Sequence, residues 1–336
     1  MSWLPPRPVR RVVIDPLWPL LAAFLLALVL VVLALSALLT PFSRRRRVLR
    51  ASMLAALYLC LDVGLVLSSF RLWLQQLGRR RDEQAWRQAH AALLAGALSR
   101  LSEAAGRWFG YRIELVGRDI GLQPDGPLLM LARHAGPGDS FSLVHLLLTR
   151  YQRIPRVVLK QALQWDPGLD VVLTRLRCYF LPSKSGAGED RAAAVAAMVA
   201  EMGRGDALLL FPEGGNWTPR RHRRAIVRLR RSGRVEQARR AAAHTNVLPP
   251  RPGGTSAALA VRPDTDVVVV AHAGLDTLVN PRQIWQALPL TRRPMRVRAW
   301  LHPAAEVPRD ERAVQAWLDE QWAAVDQWVQ TQPRHD

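Results

Sequence analysis

Two patterns of apolar residues divide this chain. The first is continuous. Residues 17–39, LWPLLAAFLLALVLVVLALSALL, carry no charge. At roughly 1.5 Å per residue, a helix of that length crosses a hydrocarbon core of about 30 Å. Residues 51–70, ASMLAALYLCLDVGLVLSSF, are nearly as apolar but hold Asp62. An acid at mid-bilayer costs roughly 2.5–3.5 kcal/mol on insertion scales, so the first segment is the firmer membrane candidate. The second pattern begins after Gly110. RIELVG (112–117), PLLMLAR (127–133), RVVLK (156–160), CYFLP (178–182), ALLLFP (207–212), DVVVVAHA (266–273) and MRVRAW (295–300) are short apolar runs bounded by turn residues. They predict strands. Helical stretches are expected at 83–110, 140–152, 188–203, 219–243 and 254–262.

Strands alternating with helices argue for an α/β fold, a sheet covered by helices. The last stretch, 309–330, places Val314, Leu318, Trp322, Val325 and Val329 at helical spacing, which predicts an amphipathic helix packed on that sheet. The division expected is a membrane-embedded helical hairpin with a basic connector over 1–82, then an α/β domain over 83–336.

Arginine clusters bear on topology. Arg44 to Arg47 fill the connection between the apolar segments, and Arg79 to Arg81 follow the second. Two full spans would set positive charge on both faces, against the usual asymmetry. A shallow hairpin in one leaflet, or one span followed by an interfacial helix, avoids that conflict. Arg7, Arg10 and Arg11 resemble the basic start of a signal peptide, but the apolar run exceeds the usual 7–15 residues or so. The formal charge is +20 over 336 residues, and Lys160 and Lys184 are the only lysines. Such charge favours an anionic membrane surface, nucleic acid or phosphorylated substrates. Neither an aromatic-interleaved basic motif nor zinc-finger spacing is present, which argues against specific nucleic-acid binding. Cys60 and Cys178 lie far apart in apolar runs and read as buried thiols.

The candidate chemistry starts at LARHAGPGDS (131–140). The strand 127–133 ends just before His134, at the edge where open α/β sheets bind ligands. Gly136, Pro137 and Gly138 force a loop, and Asp139 begins the next helix at a position suited to capping. Its carboxylate is within reach of folding back on the imidazole, where it would fix the tautomer and leave Nε2 for proton transfer. His272 to Asp276, HAGLD, is a rival pair after another strand and reads as structural. In LLLFPEGGN (208–216) a strand ends at Phe211, and Glu213 follows with Gly214 and Gly215, which permit close backbone approach to a ligand. The serine-hydrolase elbow and the zinc-hydrolase helix motif are both missing.

HAGPGD followed about eighty residues later by FPEG resembles the glycerolipid acyltransferases related to the 1-acyl-sn-glycerol-3-phosphate acyltransferases. VLPPRPGG (247–254) resembles a segment of their lysocardiolipin-acyltransferase-like branch. The resemblance covers roughly residues 110–275. It implies a mixed, mostly parallel sheet flanked by helices. It also implies transfer of a fatty acyl group from a thioester donor to a lysophospholipid hydroxyl, with 1-acyl-sn-glycerol-3-phosphate the first acceptor to consider and phosphatidic acid its product. His134 would be the general base and Asp139 its support. Glu213, Gly214 and Gly215 would shape the acceptor site. No cofactor or metal is implied beyond acyl-CoA or acyl-acyl carrier protein as co-substrate. The expected location is a membrane, with the catalytic domain on the cytoplasmic face. The chain departs from the family at two arginines held to grip the acceptor phosphate: Asn216 closes the FPEG motif, and the Pro182-Ser183-Lys184 neighbourhood replaces the other. Lys184, Arg220, Arg221 and Arg251 are the candidate replacements, because a guanidinium fork suits phosphate. Another lysolipid, a glycolipid or an amino-lipid therefore stays open as acceptor.

Overall fold

The computed structural model describes residues 4–38, 46–78, 80, 82–117, 120, 126–136, 138–181, 188–276, 281–291 and 293–333. Seven strands form one sheet among them: β1 (Ile113–Leu115), β2 (Leu128–Ala132), β3 (Ile154–Lys160), β4 (Tyr179–Leu181), β5 (Asp206–Leu210), β6 (Asp266–Ala273) and β7 (Met295–His302). Their order is β1-β7-β6-β2-β5-β3-β4. β2 pairs in parallel with both β5 and β6, and β5 in parallel with β3. Only the β6–β7 pairing is antiparallel among those described. The sheet is thus mixed and mostly parallel, and all seven apolar runs became strands.

The register sets the site. Leu131 of β2 sits opposite Leu210 of β5, and Ala132 opposite Val270 of β6. Three parallel neighbours therefore end at one edge, and the loops leaving them share it. β2 and β5 are buried at every position. Each Leu so buried contributes roughly 1.5–3 kcal/mol, which anchors the strands from which the loops depart.

By contacts the chain groups into two compact units, Met1–Tyr111 with Leu159–Ser185 and Leu288–Thr291, and Arg112–Val158 with Gly186–Ala287 and Arg292–Asp336. In the first unit, α1 (Arg7–Val9) passes through a π-helical turn (Arg10–Ile14) into α2 (Asp15–Leu38). α3 (Arg47–Gln75) packs on α2, on α4 (Glu83–Phe109) and on α6 (Pro167–Arg175). Arg7–Leu38 and Arg47–Gln75 are long and apolar enough, by length and composition, to cross a membrane. Asp62 is buried against Gly168 of α6, so the acid that weakened the second segment faces protein. Arg10 Nε lies 2.9 Å from Asp170 Oδ2, with both side chains buried, and Arg11 reaches the same carboxylate at 3.0 Å. Of the two thiols Cys178 is buried, but Cys60 is exposed because it falls on the outer face of α3.

The second unit holds α5 (Asp139–Thr149), α7 (Gly188–Ala200), α8 (Pro219–Arg231), α9 (Val235–Ala243), α10 (Gly253–Val261), α11 (Pro281–Ala287) and α12 (Glu311–Gln330). α12 packs on β6, and its Val314, Leu318, Trp322, Val325 and Val329 are all buried. The stretch expected as one helix over 219–243 is two, because Gly233 at φ +74° takes a left-handed turn between them. α6, which the apolar pattern does not announce, is started by Asp166 accepting from Leu169 N at 2.9 Å and by Pro167 in its first turn.

Candidate active site

The edge shared by β2, β5 and β6 carries the titratable residues picked out above. Past Ala132, Arg133 N still donates to Val270 O at 3.0 Å, so the ladder extends by one residue. The Arg133 guanidinium is buried and donates to His272 O at 2.6 Å and Asn246 O at 2.9 Å; it meets Asp276 Oδ2 at 3.4 Å. His134 is the first residue free of the ladder.

The second motif holds the first by its backbone. His134 N donates to Glu213 Oε1 at 3.2 Å, and Trp217 N donates to His134 O at 2.6 Å. Phe211, which ends the β5 run, stacks on the imidazole with ring centroids 4.3 Å apart. The ring therefore has one face against Phe211 and its Nδ1 edge 3.4 Å from Asp139 Oδ2. That separation is long for a hydrogen bond. The His134 side chain is 20% exposed and that of Asp139 6%, so the imidazole meets solvent while its carboxylate does not.

Asp139 is the first residue of α5, yet its carboxylate does not cap that helix. Oδ2 accepts from Ala135 N and Gly136 N, both at 2.6 Å, folding back over the loop. A Cβ on Gly136 would sit 3.3 Å from Asp139 Oδ1, so a larger residue would crowd this arrangement. His272 Nε2 lies 3.5 Å from the same Oδ2 and 2.8 Å from Arg133 O. Burial acts to raise the Asp139 carboxyl. The attraction of His272, the contact with His134 and the two backbone N–H groups outweigh it and hold the group below its ordinary range.

Glu213 is buried with both oxygens occupied. Oε1 accepts from His134 N and, at 3.2 Å, from Trp322 Nε1 of α12; Oε2 accepts from Leu248 N at 3.1 Å. Burial raises its carboxyl to about 7, against the lowering effects of Arg133 and of these donors. Its oxygens are taken by protein donors beneath His134, and the residue also lines the cleft beside this edge.

Beside this edge is a cleft of about 600 Å³, lined among others by Gly214, Gly215, Arg221 and Arg251. Gly214 stands at φ +69°, a conformation that favours glycine, and Arg251 N donates to Pro212 O at 3.0 Å. Arg221 donates to Asn216 O at 3.2 Å. Arg220 is exposed and does not line the cleft. Lys184 lies outside the described residues. Among the described residues, no group of three His, Cys, Asp or Glu side chains is placed to hold a metal ion.

Sequence reasoning separated HAGPGD from HAGLD, whereas the structure joins them. Arg133, His272 and Asp276 form one network behind His134. Arg133 and Trp322 join this site without a local signal, because nothing along the chain marks a strand-end arginine or a helix tryptophan as reaching a loop carboxylate.

Residues 112–273 match the family model described as Acyltransferase. The fold is similar to that of the 1-acyl-sn-glycerophosphate (LPA) acyltransferase PlsC from Thermotoga maritima, with a TM-score of 0.55 and 13% identity, over 86% of this chain and 100% of that one. A search of curated proteins gives no match.

Proposed function

We propose that this protein, whose residues 112–273 match the family model described as Acyltransferase, transfers a fatty acyl group from a thioester donor to the hydroxyl of a lysophospholipid. The first acceptor is 1-acyl-sn-glycerol-3-phosphate, giving phosphatidic acid, and the likeness to an LPA acyltransferase fold supports that choice. One observation carries the reading: His134 is clamped by backbone and ring face, with Asp139 at Nδ1 and part of the imidazole open to solvent.

With Nδ1 directed at Asp139, Nε2 is the nitrogen available to substrate. It takes the proton of the acceptor hydroxyl. The freed oxygen attacks the thioester carbonyl carbon, the new C–O bond forms, and the C–S bond breaks. The leaving thiolate then receives the proton from His134. Asp139 stabilises the transient imidazolium, and its own negative form is secured by two N–H donors and His272. Glu213 is a positioning residue that fixes where His134 stands. The two long apolar helices would seat the enzyme in the bilayer where acceptor and product reside, with the catalytic domain on the cytoplasmic face supplied with thioester. Exposed arginines of α8 would favour an anionic lipid surface.

The test is acyl transfer by the purified full chain in detergent. His134→Ala should lower kcat by about a thousandfold, within the range for loss of a general base, while the unfolding temperature stays within a few degrees. Wild-type turnover by the variant would remove His134 from the mechanism. A second reading, transfer to another lysolipid, a glycolipid or an amino-lipid, is favoured by Asn216, which puts a neutral amide where the family usually has arginine. The lipid accumulating in a deletion strain separates the two.

A further inference from the structure

Beyond the contacts that Asn246 and Leu248 make at the His134 rim, the segment 219–251 builds a cleft of its own. α8 and α9 pack against each other through Leu229, Ala238, Ala241 and Ile226. His222 Nε2, 2.8 Å from Ala241 O, ties them again. On α8 the arginines that line the cleft, Arg221, Arg224 and Arg228, are spaced three and four apart and so share one face. Arg234 enters from the turn and Arg251 from the loop beyond α9.

Among the described residues none of these five arginines forms an ion pair. Arg240, also in the lining, does, 3.6 Å from both Glu236 and Asp319. Two carboxylates line the cleft. Glu213 is committed to protein donors, and Asp319 is raised by burial. Arg251 is held below the ordinary arginine range, first by loss of water and then by the like charges of Arg228, Arg191 and Arg234. Like charges gathered without counter-charges create a field that concentrates an anion. A phosphate monoester brings about 1.5–2 negative charges, enough for two of the five. The walls call for more.

We propose that this cleft binds a ligand carrying at least two phosphate groups, gripped by Arg221, Arg224, Arg228, Arg234 and Arg251. The chemistry fits a bis-phosphorylated lipid headgroup or the pyrophosphate-bearing end of a CoA-type donor. The turn Pro212–Asn216 links the cleft to His134: Gly214 and Gly215 line the one, and Glu213 holds the other. Assigning the ligand to a reaction partner rests on the acyl-transfer reading above; the binding itself does not.

Calorimetry on the full chain in neutral detergent, at low ionic strength, provides the test, with inorganic pyrophosphate and inorganic phosphate as probes. Pyrophosphate should bind at least tenfold more tightly. Arg228→Gln and Arg251→Gln should each weaken it by about tenfold. Arg239→Gln, an exposed α9 residue outside the lining, should leave it unchanged. Equal binding of the two probes, or wild-type pyrophosphate affinity in both Arg228→Gln and Arg251→Gln, overturns the proposal. Competition then identifies the source. Displacement by coenzyme A but not pantetheine assigns the cleft to the donor, and displacement by a short-chain lysolipid with two phosphates assigns it to the acceptor. Displacement by neither also overturns the proposal. A chain that prefers pyrophosphate but transfers no acyl group would instead overturn the acyl-transfer reading alone.

Discussion

The rim around His134 and the arginine cleft beside it treat charge in opposite ways. At the rim each carboxylate oxygen that touches the histidine is already engaged: Asp139 Oδ2 by two N–H groups and two imidazoles, Glu213 Oε1 by His134 N and Trp322. In the cleft, five guanidinium groups have no ion-pair partner among the described residues. A closed network keeps its geometry before substrate arrives, which is what stabilising a developing charge requires. An open set of like charges stores attraction for something that brings the opposite sign. One region is built for positioning and the other for capture.

Several substitutions sharpen that contrast. The largest effect is expected from Asp139→Asn. The amide nitrogen must face either the backbone donors or the imidazole, so one donor pair is set against another. Acyl transfer by this variant should fall by a hundredfold to about a thousandfold in kcat, with a smaller change in KM. Near-wild-type turnover would reduce Asp139 to a loop fastener.

Next is the pH dependence set by Glu213. Its folded value is raised from 4.5 to about 7, so the folded protein holds the proton more tightly than the unfolded chain. The resulting stability is fully present below about pH 4.5 and is lost as pH rises through 7. The expected loss is on the order of 3 kcal/mol. Glu213→Gln should flatten this part of the stability curve, measured by denaturant unfolding between pH 4.5 and 8. A wild-type slope in the variant would show that another group titrates there. Asp139 has the opposite sign: lowered in the fold, it supports stability above the ordinary aspartate value and withdraws it as pH falls through the folded one.

His272→Gln should have a smaller effect. Glutamine keeps a donor for Arg133 O but gives up the imidazole beside Asp139. About a tenfold drop in kcat is expected, with KM unchanged, and the acid limb of the kcat–pH profile should move to higher pH as the Asp139 carboxyl rises. A fixed acid limb would limit His272 to packing. The smallest effect belongs to Arg239→Gln, with less than a twofold change in both acyl transfer and pyrophosphate binding. Its exposed pairing with Glu236 touches neither region.

The local pattern of this chain was enough for its elements. Alternating apolar runs specified seven strands, because each run had to be buried and each turn residue ended one. Helical spacing specified α12 down to the buried Val314, Leu318 and Trp322. The motifs marked His134, Asp139 and Glu213 as residues to examine, since a strand followed by a glycine-rich turn exposes what comes next. Tertiary structure decided what those residues touch. Asp139 stood where it could cap α5, and the loop's free N–H groups turned its carboxylate back toward His134. Nothing local in FPEGG announces that α12, more than a hundred residues away, brings Trp322 onto Glu213. The two histidine motifs became one network only when β6 lay down parallel to β2. Strand and helix formation depends on neighbours along the chain. A buried hydrogen bond depends on which distant group arrives, and no period in the sequence records that.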